Sequence, residues 1–143
     1  MFFLPTYLYL EVQGIVIFSF SFLGICDLAI DMAFAVDTSG SIGTDNFDHV
    51  KEFLISVVQE HDVGDDAAHF ATIDFSDDAN AFFDFNNLTG TDLTATNFGR
   101  LLRDLPYYGG ETNINKALKL AETDVFSTKG GWRDTWNVPK VTF

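Results

Sequence analysis

Three oxygen-bearing side chains stand at alternate positions in one short segment, Asp37-Thr38-Ser39-Gly40-Ser41. A carboxylate and two hydroxyls at this spacing, in a loop loosened by Gly40, can turn their oxygens toward one point. Hard oxygen donors with a single formal charge suit Mg²⁺, which keeps several waters and accepts few protein carboxylates. The segment therefore predicts a magnesium site, and the alternative explanation is helix capping by its Asp and Ser residues.

Hydrolytic chemistry is a weaker interpretation of the same segment. The letters Asp-Thr-Ser-Gly suggest an aspartic protease, but those enzymes need a second such aspartate and have Gly where this chain has Ser39. The histidines, at positions 49, 61 and 69, lie in or beside predicted helices and strands. No spacing in the sequence pairs any of them with a nucleophilic side chain. We therefore expect no catalytic residues and no enzymatic activity.

A buried strand and a glycine-containing turn position this segment. Residues 27–36 end in a nearly continuous apolar run, which is typical of a central strand covered on both faces. After Gly40 and Gly43, apolar residues recur at three- and four-residue spacing and predict a helix over residues 46–61. A strand, a glycine-containing loop and a helix in this order are typical of the beginning of an α/β fold. In such folds ligands bind beside the carboxyl ends of the strands.

The rest of the chain predicts a strand hairpin, two further helices and the beginning of a last strand. These elements are an antiparallel pair over residues 69–75 and 81–85, helices over residues 94–105 and 113–126, and a strand starting at Val138. The buried face of the last helix is predicted to consist of Ile114, Ala117, Leu118 and Ala121.

Charge and composition narrow the class of protein. The formal net charge is −13, from 21 acidic and 8 basic residues, so nucleic acid is an unfavourable partner. Scattered aspartates, most of them in predicted turns and among them Asp74, Asp77 and Asp78, are expected to be solvated surface charges, with attraction of cations as the alternative. With 47% apolar residues, a chain of 143 residues predicts one folded domain, and nothing in its length requires a second.

The first 25 residues differ in composition from the rest and are almost wholly apolar. No basic residue precedes the apolar run, so we interpret residues 1–25 as an irregular signal peptide, a membrane anchor or a gene-model artefact. In none of these cases is the segment expected to join the fold, and membrane contact is expected only if it is an anchor. Residues 26–143 form the predicted domain, in which Cys26 is a small buried side chain or bridges to a cysteine elsewhere.

A second motif, Gly109-Gly110-Glu111-Thr112-Asn113, precedes the last predicted helix. Together with Asp37-x-Ser39-x-Ser41, in this order and separation, it resembles the N-terminal portion of the von Willebrand factor type A family, of the matrilin- or collagen-like extracellular type. In that family the two motifs form the metal-ion-dependent adhesion site. Residues 71–76 and 138–141 resemble the family's second and fourth strands, so the resemblance covers about residues 26–143.

The resemblance implies a Rossmann-like open α/β sheet with helices on both faces. It also implies that Asp37, Ser39, Ser41 and Thr112 bind Mg²⁺, with Mn²⁺ or Ca²⁺ as alternatives. Asp37 would be the charged anchor, and the contact of Thr112 with the ion would vary with conformational state. Turn formation is the alternative role for Thr112. In the family the fourth strand ends in an Asp that completes the metal's coordination, so we expect a sheet truncated after the start of that strand and an incomplete site.

The function implied is that of a secreted, non-enzymatic adhesion module, a fragment of a larger matrix or cell-surface protein. Its open metal position would accept an acidic side chain of a protein such as collagen or another matrix protein, and no small-molecule substrate is expected. Two alternatives stay open: a docking module of a complement-type protease or a chelatase subunit, and a fragment without a function of its own.

Overall fold

The computed structural model of this chain describes the strand backbones of residues 7–12 and 15–20 and the whole of residues 29–134. Within these residues the sheet contains five strands, namely Tyr7–Val12 (β1), Ile15–Phe20 (β2), Ile30–Asp37 (β3), Ala68–Phe75 (β4) and Ala79–Phe83 (β5). They lie side by side in chain order, with β3 and β4 parallel and the other neighbouring pairs antiparallel. The predicted antiparallel hairpin is therefore confirmed as β4 and β5.

The described helices are Thr44–Gln59 (α1), Ala95–Arg103 (α2) and Ile114–Leu120 (α3). A 3₁₀ turn, Gly90–Asp92, precedes α2, and a π-helical turn, Ala121–Val125, continues α3. The hydroxyl of Thr94 caps α2 by accepting a hydrogen bond from the amide of Asn97 over 3.2 Å. Among the described residues, no helix combines the length and the apolar character that crossing a membrane would require.

Both faces of β3 are buried, as its continuous apolar run predicts. Its larger side chains, such as Phe34, pack with α1 and α2, and the Phe34 ring stacks on Phe70 of β4 with a centroid distance of 5.6 Å. On the opposite face Ala33 and Ala35 pack in a second core with Ala117 of α3. Large side chains on one face and small ones on the other set the spacing of the layers. The prediction of an open α/β sheet with helices on both faces is confirmed.

A buried ion pair closes the amino-terminal edge of the parallel strands. Asp31 of β3 is fully buried, and its carboxylate accepts hydrogen bonds from the backbone amide and the guanidinium of Arg133 at 2.9 and 2.8 Å. The same guanidinium donates to the carbonyls of Ile30, Asp65 and Ala67. Each nitrogen of the guanidinium thus donates to an oxygen, and such pairing is the condition for a buried charge to be tolerated.

The last helix departs from its prediction in two respects. A regular helix was expected to about Phe126, but the bond from the amide of Phe126 to the carbonyl of Ala121 closes a wider π turn. Ile114 was predicted to be buried, and this is wrong because its side chain is 38% exposed. Ile114 is the first residue of α3, before the helix packs on the sheet, whereas Ala117 and Ala121 further along are buried.

The expectation that residues 1–25 stay outside the fold is also corrected. The backbones of β1 and β2 form a hairpin, and β2 pairs with β3 through Ile15 opposite Val36 and Ile17 opposite Phe34. An unpaired edge of β3 would present unsatisfied backbone groups, and a neighbouring extended segment satisfies them. The domain boundary at residue 26 stays a prediction. Cys26 and the strand predicted to start at Val138 lie outside the described residues.

Candidate metal centre

The end of β3 delivers the first motif to the carboxyl edge of the sheet. Asp37 is the last residue of the strand and is almost completely buried. The amide and the hydroxyl of Thr38 both donate to the carbonyl of Phe75, at 2.9 and 3.1 Å. Because Phe75 is the last residue of the parallel neighbour β4, the Asp37 loop (residues 37–43) begins where both strands end.

Inside the Asp37 loop the oxygens converge. The carboxylate of Asp37 accepts a hydrogen bond from the amide of Ser39 over 2.8 Å, so the chain folds back on its own side chain. The hydroxyl oxygens of Ser39 and Ser41 are 3.1 Å apart. Ser39 is buried while Ser41 is exposed, which leaves one side of the cluster open to solvent.

The second motif lies in the connection between α2 and α3, residues 107–113 (the Thr112 loop). Two backbone bonds join it to the Asp37 loop: the Gly109 amide donates to Thr38 over 2.8 Å, and the Gly40 amide donates to Gly110 over 3.0 Å. Gly109 and Gly110 have φ angles of +73° and +85°. These left-handed conformations favour glycine, which explains the Gly-Gly pair in the motif.

Thr112 completes the cluster from a distant part of the chain. Its hydroxyl donates to the hydroxyl oxygen of Ser39 over 2.9 Å. The structure thus brings the side chains of Ser41, Ser39 and Thr112 into one row of hydroxyls, with Asp37 bonded to the same loop. All the residues predicted as ligands stand at one site, and their binding of a metal stays a prediction.

The oxygen spacing fits a hard divalent cation. Neighbouring ligands of an octahedral Mg²⁺ with bonds of about 2.1 Å are separated by about 3.0 Å. The two distances in the hydroxyl row, 2.9 and 3.1 Å, are those of hydrogen bonds between hydroxyls and are also compatible with that edge length. Over residues 29–134 no group of three or more His, Cys, Asp or Glu could hold a metal, so the candidate in this range is a set of hydroxyls with one carboxylate. That donor chemistry suits Mg²⁺ better than softer ions.

The turn between β4 and β5 supports the site in a way that the sequence did not indicate. Asp77, expected to be a solvated charge, is exposed but accepts a hydrogen bond from the amide of Glu111 over 2.8 Å. The carbonyl of Ser76 accepts from the amide of Asn113 over 3.0 Å. No spacing rule links residues 34 or more positions apart, and the turn aspartates carried no other signal.

The expectation for Asp74 is also wrong. This residue was expected at the surface, but it lies within β4 and is buried. Burial raises the pKa of its carboxyl group, and a hydrogen bond of 3.1 Å from the side-chain amide of Asn80 partly offsets this. A carboxylate inside a strand was misread because its neighbours Asp77 and Asp78 do stand in a turn.

Comparison with known proteins gives one family and several relatives. A family model described as von Willebrand factor type A domain matches residues 31–143. The chain is 34% identical over 111 residues to the collagen alpha-4(VI) chain of Mus musculus, which covers 78% of this chain and 5% of that protein. It is 31% identical over 108 residues to von Willebrand factor of Rattus norvegicus, covering 75% and 24%. The chain therefore spans far less than two thirds of either relative.

Solved structures share the fold. Proximal thread matrix protein 1 from the mussel byssus, in its crystal form 2, superposes with a TM-score of 0.63 and 26% identity over 71% of this chain and 26% of that chain. A structure of the same byssus protein, described as having a zinc-occupied MIDAS motif, superposes with a TM-score of 0.66 over 78% and 28%. Its identity is 22%, so this second likeness shows the fold alone.

Proposed function

Because this chain belongs to the von Willebrand factor type A family, we propose that it is an extracellular protein-binding module that contacts its partner through a divalent cation. The family membership rests on the match over residues 31–143. The similarity to collagen chains and to von Willebrand factor supports a non-enzymatic, protein-binding role in the matrix outside the cell. We propose collagen or another matrix protein as the partner.

The convergence of the two loops is the observation on which the proposal rests. Asp37, Ser39, Ser41 and Thr112 would hold the cation, which we propose to be Mg²⁺, with Mn²⁺ or Ca²⁺ as alternatives. A bound cation supplies positive charge and an open coordination position for an anionic oxygen. With one carboxylate among the protein ligands, the site would keep a net positive charge and attract an acidic side chain of the partner.

The charge of the chain explains why the partner contact should depend on metal. A net charge of −13 repels an acidic partner at long range. The exposed sides of Ser41 and Thr112 offer only neutral oxygens in the absence of a cation. Acidic ligands should therefore bind only when a cation reverses the local charge, and chelation should release them.

Magnesium titration of the full chain tests the proposal. Calorimetry and thermal unfolding should show saturable binding and a higher melting temperature with Mg²⁺, because a ligand that binds the folded state stabilises it. Asp37→Ala should abolish both effects. Ser56→Ala is the matched control, since that exposed serine only donates to the carbonyl of Phe53 in α1.

Binding to immobilised collagen, measured in Mg²⁺ and again in EDTA, tests the partner class. Metal-dependent retention that Asp37→Ala removes would support collagen as a partner. If the unaltered chain shows no saturable response to Mg²⁺, Mn²⁺ or Ca²⁺, the proposed metal-dependent function is wrong. Metal binding without retention on collagen would exclude collagen alone and direct the search to other matrix proteins.

A further inference from the structure

The Thr112 loop is attached to the turn between β4 and β5 on both sides of Thr112. Before it, the amide of Glu111 donates to the carboxylate of Asp77 over 2.8 Å. After it, the amide of Asn113 donates to the carbonyl of Ser76 over 3.0 Å. One anchored amide on each side leaves Thr112 little freedom of backbone position. The Thr112 hydroxyl can therefore stay within 2.9 Å of Ser39.

Gly110 and Lys116 show how closely Asp77 is fitted into this attachment. A Cβ atom on Gly110 would lie 2.6 Å from a carboxylate oxygen of Asp77, so the carboxylate rests directly against the glycine backbone. The ammonium group of Lys116, from α3, donates to the carbonyl of Asp77 over 2.7 Å and also pairs with the carboxylate of Asp78. The turn is thus held by the loop and by the helix that follows the loop.

The negative charge of Asp77 strengthens the hydrogen bond that its carboxylate accepts from the Glu111 amide. A carboxylate accepts a backbone N–H bond more strongly than a neutral acceptor does. The hydrogen bond of its side chain goes to the Thr112 loop, and no bond joins its carboxylate to the described residues of the Asp37 loop. An effect of Asp77 on the metal site therefore passes through the Thr112 loop. The route that includes a metal-ligand candidate is the Thr112 hydroxyl, which bonds to Ser39.

We propose that Asp77 is a positioning residue of the metal site, whose carboxylate sets the Thr112 loop so that the Thr112 hydroxyl faces Ser39. This inference rests on the proposed metal-binding function. Residues that orient a ligand without touching the metal change metal affinity by about 10- to 100-fold when they are removed. Asp77→Ala should weaken Mg²⁺ binding by an amount in that range.

Asp78→Ala is the matched control for Asp77→Ala. Both substitutions remove one exposed carboxylate from the same turn, but the carboxylate of Asp78 contacts Lys116 and not the Thr112 loop. Surface ion pairs contribute little, so Asp78→Ala should change Mg²⁺ affinity less than about threefold. Asp77→Asn keeps an acceptor oxygen for the Glu111 amide and should restore most of the affinity lost in Asp77→Ala.

A double-mutant cycle with Thr112 distinguishes positioning from general electrostatics. Calorimetric titration of the full chain with MgCl₂ should show that Asp77→Ala has almost no further effect once Thr112→Ala is present. Equal losses in the Asp77→Ala and Asp78→Ala variants, or full additivity of Asp77→Ala with Thr112→Ala, would overturn the proposal.

Amide hydrogen exchange in EDTA separates this inference from the proposed function. Asp77→Ala should accelerate exchange of the Glu111 amide at least about tenfold while Asp78→Ala leaves it unchanged, because the lost bond is the one that protects that amide. Unchanged Glu111 exchange in Asp77→Ala would refute the positioning role even if Mg²⁺ binds. Faster exchange in a chain that does not bind Mg²⁺ would support the loop attachment and refute the metal function alone.

Discussion

Thr112 donates its hydroxyl hydrogen to Ser39 over 2.9 Å, although 73 positions separate the two residues in the chain. The hydroxyl of Ser39 also lies 3.1 Å from that of Ser41 in its own loop. One buried serine therefore contacts a hydroxyl from each loop of the candidate metal centre. The geometry makes Ser39 the central oxygen of the row. Its neighbours have solvent on one side, and Ser39 does not.

Ser39→Ala should therefore reduce Mg²⁺ affinity more than Ser41→Ala does. The first substitution removes the shared oxygen, and we expect a loss of at least about tenfold, comparable to the loss of a ligand-orienting group. The free energy of unfolding in EDTA should fall by no more than about 1 kcal/mol, because exposed Thr112 can bond to water instead. Calorimetry and urea unfolding provide the two measurements. A smaller affinity loss for Ser39→Ala than for Ser41→Ala would contradict this ranking.

Arg133→Ala should destabilise the fold without touching the metal centre. It leaves the carboxylate of Asp31 buried without its cationic partner, and breaking a buried pair in this way costs about 3–5 kcal/mol. Urea unfolding of the two proteins measures the difference. In an Asp31→Asn background the same substitution should cost clearly less, since no buried charge remains. An equal cost in both backgrounds would show that the lost bonds to Ile30, Asp65 and Ala67 dominate instead.

The stability of the fold should decline below neutral pH through His69. Burial, and after it the charge of Arg133, lowers the pKa of this imidazole. Between that lowered value and about 6.5, the unfolded chain binds the proton more readily, so the free energy of unfolding decreases as the pH falls through this window. The part of the free energy of unfolding that depends on an uncharged His69 is fully present above about pH 6.5.

Urea unfolding between pH 7.5 and pH 5 should show a shallower decline for His69→Gln than for the unaltered chain. His49→Gln, which removes an exposed histidine of α1, is the matched control and should keep the full decline. If His69→Gln and the unaltered chain show the same pH dependence, another group is responsible for it.

Local patterns predicted the elements of this protein well because their causes are local. The continuous apolar run before Asp37 gave a strand buried on both faces, since side chains alternate between the two cores. The glycine pair stands in the connection before Thr112, where the sequence predicts the end of a helix, and both glycines have positive φ. The two motifs were recognisable as one site because their residue types and order resemble those of a family.

Errors occurred where a residue's environment comes from remote segments. Ile114 fits the apolar face of a helix by spacing, yet at the first position of α3 it remains partly in solvent. Asp74 was grouped with the turn aspartates, but the pairing of β4 with β5 buries it. Periodicity indicates which side chains lie on the same face of a helix or strand. It does not indicate which other segments cover that face.

From β3 to α3 the sequence by itself determined the order of strands, loops and helices. It also determined the oxygen donors at alternate positions and the resemblance to the family. Only the tertiary structure decided that Thr112 bonds to Ser39, that Asp77 bonds to the Thr112 loop, and that β2 pairs with β3. The physical reason is the range of the interactions. Strand and turn preferences depend on the neighbouring backbone, whereas a hydrogen bond between distant segments exists only after the sheet and its helices have packed.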